Sequence, residues 1–79
     1  MVYCDLIKNE NKLLTYKIGG FASDLTGLIV FHTQNATYEL IKEPENSKVY
    51  KRHLERLARR CKGMYDKGIV KNKLSLEIG

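Results

Sequence analysis

The apolar residues of this chain change their spacing once, across Glu43-Pro44-Glu45-Asn46-Ser47, and that change limits the fold more than any other feature. Before it, apolar residues fall at every second position in short segments, as in strands with one covered face. After it, Tyr50, Leu54, Leu57, Cys61 and Met64 follow at steps of four, three, four and three, which draws one stripe along a helix. Pro44, the only proline, has no N–H to give a sheet ladder, and Asn46 or Ser47 offers the side-chain oxygen that an N-cap uses. One switch from strand spacing to helix spacing implies a sheet followed by a helix that covers it.

The segments before the switch read as an antiparallel meander. A strand is predicted over 2–8, with Val2, Cys4 and Leu6 on one face, followed by a polar turn at Asn9-Glu10-Asn11-Lys12. The chain returns over 13–18, with Leu14, Tyr16 and Ile18 aligned, until Gly19-Gly20 ends the strand. Residues 21–27 connect, either as a helical turn started by Ser23-Asp24 or as a loop whose Phe21 and Leu25 plug the core. The run Leu28, Ile29, Val30, Phe31 reads as a central strand buried on both faces. Gln34-Asn35-Ala36 turns the chain into a fourth strand over 37–42, with Tyr38 and Leu40 opposite Glu39 and Ile41.

The helix is predicted over 47–67, a length of about 30 Å at 1.5 Å per residue. Ala58 and Tyr65 widen its apolar stripe, Glu43 and Glu45 lie near its positive end, Gly63 weakens it locally and Gly68 stops it. Beyond it Val70, Leu74, Leu76 and Ile78 alternate with Lys71, Lys73, Ser75 and Glu77. That last strand, over 70–78, either joins the meander or pairs with a second copy to make a homodimer. The expectation is a single α+β domain over 1–79: a small antiparallel sheet, made of a four-strand meander plus a C-terminal strand, with one long amphipathic helix packed on a face.

Charge is as unevenly distributed as hydropathy. Lys48, Lys51, Arg52, Arg56, Arg59, Arg60, Lys62 and Lys67 stand against only Glu55 and Asp66 between positions 47 and 67, a net of +6. The whole chain carries +5, so the remainder sums to −1. A basic helix back on a near-neutral body suits a phosphate backbone or an acidic protein surface. Lys48, Arg52, Arg56, Arg59 and Lys62 are the candidate phosphate contacts, and Arg52, Arg56 and Arg59, at steps of four and three, share one ridge. The bland reading of the same residues is a solvated helix back with an ion pair between Glu55 and Arg59. The function expected is a small cytoplasmic nucleic-acid-binding or nucleic-acid-associated accessory protein. The alternative is a protein-binding regulatory module, of the inhibitor or phage and mobile-element antagonist type, with no nucleic-acid contact.

Other chemistries find less support in the residues. Tyr3, Tyr16, Phe31 and Tyr38 could stack bases on an open sheet face, although such aromatics are more often core. His32, His53, Cys4 and Cys61 are zinc-ligating types, yet no pair has ligand spacing and each sits in a separate element, so no metal is expected. No nucleophile elbow or phosphate-binding loop occurs, and neither catalysis nor a cofactor is expected. Cys4 and Cys61 fall on apolar faces and are read as buried, reduced thiols. No apolar run approaches the roughly 18 residues of a membrane span. The apolar side of the helix, needed to cover the sheet, is not free to lie on a bilayer.

Overall fold

The computed structural model describes residues 1–76. Strands β1 (Val2–Glu10), β2 (Leu13–Gly19), β3 (Gly27–His32) and β4 (Thr37–Lys42) are followed by helix α1 (Lys51–Asp66) and strand β5 (Lys73–Leu76). The sheet runs β4-β3-β2-β1-β5, with every neighbouring pair antiparallel. The expected α+β architecture is therefore present, and β5 pairs with β1 of its own chain. Glu77 and Ile78 of the predicted last strand lie outside the described residues.

Strand alternation decides what the helix covers. Val2 and Cys4 of β1, Leu14, Tyr16 and Ile18 of β2, Ile29 and Phe31 of β3, and Leu74 and Leu76 of β5 are buried on one face. Leu54, Leu57, Ala58 and Cys61 close the core from α1. The Tyr16 ring is fully buried, and its hydroxyl donates to the Lys71 carbonyl at 2.8 Å, so the phenol is not left unpaired. Phe31 meets that ring edge-on, with centroids 5.7 Å apart. With one helix among the described residues there is one covered face, so β3 is not buried on both sides as predicted. Leu28, Val30 and His32 point to the far face and are only half-buried.

The helix starts later than its sequence suggests. Its N-cap is Tyr50, which makes no side-chain capping bond, and Ser47 lies three residues outside. The Ser47 hydroxyl donates to the Asp24 carboxylate at 2.6 Å and accepts from the Gly20 amide at 2.9 Å. The Asn46 amide and the Thr26 hydroxyl donate to the same carboxylate, at 3.0 and 2.8 Å. Both expected caps are thus engaged in tying the segment before α1 to the β2–β3 connector. These bonds, led by that from Ser47, hold the Asp24 carboxyl below its usual range. The buried member of the connector is Asp24, and Phe21, which one of the two readings of this segment places in the core, is 58% exposed.

The other end of α1 follows expectation. Gly68 adopts φ +77°, and its amide and that of Ile69 close on the Tyr65 and Met64 carbonyls at 2.9 and 2.8 Å. This left-handed stop favours glycine. Gly63, by contrast, sits in the last turn of the helix with open space where a Cβ would be. Gly63→Ala is therefore expected to raise stability by about 0.5–1 kcal/mol, lifting the thermal midpoint by roughly 2–8 °C. A lowered midpoint in a circular-dichroism melt would contradict that account of the position.

Candidate nucleic-acid interface

Helical geometry sets Arg52, Arg56 and Arg59 on the side of α1 opposite Leu54, Leu57 and Cys61. All three are exposed, and they span about 10 Å of the helix axis. None of their guanidinium groups has an acidic partner among the described residues. The ion pairs formed there are Lys8–Glu10, Lys42–Glu45, Lys62–Asp66 and Lys73–Asp5, at 3.0, 3.7, 2.7 and 3.4 Å. The Glu55–Arg59 pair expected of a merely solvated helix back is not formed. Glu55 and Asp66 both lie on the Lys62 flank, where Glu55 stands three residues from Arg52 and four from Arg59 yet pairs with neither among the described residues.

The other candidate contacts are placed less favourably. Lys48 precedes the helix, exposed on the segment that Asp24 holds, so it does not share the ridge. Lys62 is on α1 but one flank over, with its ammonium engaged by Asp66. Arg60, on the opposite flank, donates to the Ser75 carbonyl at 3.0 Å. The Leu6 amide bonds to Asn72, which makes Tyr3–Ser75 a pair without mutual hydrogen bonds. The Ser75 carbonyl therefore points to the outer edge of β5, and Arg60 covers part of that edge.

The proposed stacking aromatics need a correction. Tyr16 and Phe31 are fully buried, and Tyr38 packs against the core. Only Tyr3 of the four lies on the open face of the sheet. The exposed aromatic rings are instead Phe21 and Tyr50, each 58% exposed, at the start of α1. The spacing of Tyr50 predicts a place in the apolar stripe, but as N-cap it stands outside the helix and meets His53 edge-on, with centroids 5.5 Å apart. Phe21, Tyr50, Lys48 and His53 line a groove of about 360 Å³ whose remaining wall is Met1, Gly20, Asn46 and Ser47. The buried His53 Nδ1 in that wall has no hydrogen-bond partner among the described residues. The first turn of α1 holds no acidic residue, so the positive end of the helix adds to the potential there.

A second groove, of about 350 Å³, runs beside Tyr3, Leu25 and Ser75 on the open face. Its charged members, Asp5 and Lys73, engage each other at 3.4 Å and leave no net charge for a phosphate. Cys4 and Cys61 are buried free thiols, while His32 sits on the opposite face of the sheet. Among the described residues no three His, Cys, Asp or Glu side chains converge as a metal site would need. No described helix is long and apolar enough to cross a membrane. No protein-family model matches the chain, and neither a curated protein nor a solved structure shows significant similarity to it.

Proposed function

We propose that this protein binds nucleic acid, or acts beside it, through phosphate contacts made by Arg52, Arg56 and Arg59. The observation that carries the reading is the absence of any acidic partner for these three guanidinium groups on one exposed ridge. Holding like charges at steps of three and four on a helix is unfavourable by a few tenths of a kcal/mol per pair, and an anionic partner removes that repulsion. Arginine suits the task because its planar fork grips two phosphate oxygens at once. Lys48 and Lys62 contribute as peripheral charges, and binding is mainly electrostatic with little base readout. A cytoplasmic site of action belongs to the same proposal, supported by two thiols that are free and buried.

The test is fluorescence anisotropy of labelled single- and double-stranded oligonucleotides against salt, from about 50 to 300 mM. Three phosphate contacts predict a slope of about −2 to −3 for log K against log salt concentration. An absence of binding at the lowest salt would overturn the proposal and leave the ridge to an acidic protein surface.

A further inference from the structure

The groove at the start of α1 brings together two exposed aromatic rings that the sequence keeps apart, with Lys48 beside them. Phe21 comes from the β2–β3 connector and Tyr50 from the helix cap, 29 positions later, yet both line the same groove with Lys48. Two rings, each 58% exposed and lining one groove, form a local aromatic patch of the kind that marks a binding surface. Tyr50 is the N-cap, so Arg52 follows within a turn of helix and Arg56 about 6 Å further along the axis. A flat ring beside a line of cations is the arrangement that single-stranded nucleic acid uses. Bases stack on the ring, and the backbone follows the charge. A duplex keeps its bases inside and can use only the charge.

We propose that this groove takes an unpaired base of a single-stranded nucleic acid, stacked on Phe21 and Tyr50, while the adjoining phosphates run along Arg52, Arg56 and Arg59. The inference rests on the ridge being a phosphate-binding surface and adds the class of nucleic acid it prefers. Charge favours this occupant over a neutral peptide, because Lys48 and the positive helix end lie at the groove and no acidic side chain among the described residues lines it. The aromatic groups favour it over an acidic peptide, which would gain little from two exposed rings. Contacts of this kind tolerate any base, so little sequence preference is expected.

Anisotropy titrations with matched single-stranded and duplex probes separate the two layers. The Phe21→Ala/Tyr50→Ala variant is expected to lose roughly 10- to 100-fold in affinity for the single strand, since each stacked base contributes a factor of about ten or more. Duplex affinity and the salt slope should stay as in the wild type. Tyr50→Phe keeps the ring and should bind within about twofold of wild type. Both side chains are exposed, and a thermal melt confirms that each variant is folded. Unchanged single-strand affinity, or equal losses on single strand and duplex, overturns the base-stacking proposal while a normal salt slope keeps the ridge intact. If wild type binds neither probe, both readings fall together. If polyglutamate competes as well as an oligonucleotide and the aromatic variant loses both alike, the groove holds acidic chains and the proposal is wrong.

Discussion

Arg52→Glu/Arg56→Glu/Arg59→Glu is expected to bind oligonucleotides about a thousandfold more weakly than wild type at 0.1 M salt, with its fold unchanged. A slope of about 0.9 per phosphate makes each contact worth about 1.2 kcal/mol of counterion release at that salt. Three lost contacts give roughly 500-fold, and the reversed charges add repulsion. The chain's net charge would fall from +5 to −1, so long-range attraction disappears as well. Because all three side chains are exposed and make no ion pair or hydrogen bond among the described residues, stability should move by no more than about 0.5 kcal/mol. That contrast, a large loss of binding with an unmoved melt, sets a functional surface apart from a structural one. The remaining salt slope should be near zero, since each removed contact subtracts about one from it. Undiminished affinity in the folded variant would place the phosphate contacts elsewhere, with Lys12, Lys17 and Lys71 the next cations to test.

The residues that were legible in the sequence are those whose environment is set by local periodicity. Leu14, Tyr16 and Ile18 share a face because strands alternate, and that alternation alone already argues that Tyr16 belongs to the core and not to a stacking platform. The arginine ridge was legible for the same reason, since steps of four and three fix a line on a helix whatever surrounds it. What was not legible depends on contacts between distant positions. Tyr50 continues the spacing of Leu54 and Leu57, but Ser47 and Asn46 are held by Asp24, more than 20 positions earlier, so the helix begins one residue after Tyr50. The same latch leaves Phe21 outside, on a connector whose apolar residues look like core plugs. The groove therefore had no local signal: it exists because the connector and the cap are tied together in space. The position of β5 beside β1 was likewise open, because its alternation shows which face it covers but not which edge it joins.

Raising the pH should unfold this domain between about pH 10 and 12, and the two buried thiols are the main cause. Burial pushes Cys4 and Cys61 up from 9.0 to about 12, because a thiolate inside the core would lose its solvation. Their folded values lie above their unfolded ones, so the folded state binds more protons and stability falls as pH rises. The contribution is complete below pH 9 and is lost progressively on the way to about 12. Linkage puts the loss at about 1 kcal/mol per thiol near pH 10 and about 3 kcal/mol near pH 11. A domain of this size has roughly 4–12 kcal/mol to lose, so two thiols remove a large share of it. The Tyr16 hydroxyl, raised beyond its usual range by burial beside both cysteines, acts in the same direction at still higher pH. Urea midpoints measured every half unit from pH 7 to 11 should show the decline. Cys4→Ala/Cys61→Ala should start lower at neutral pH, because it leaves small cavities, yet fall much less steeply above pH 9. Parallel profiles for the two proteins would show that the thiols do not govern alkaline stability. Thiol-specific reagents give an independent reading: at pH 8 both cysteines should be inert in the native protein and react together only on unfolding.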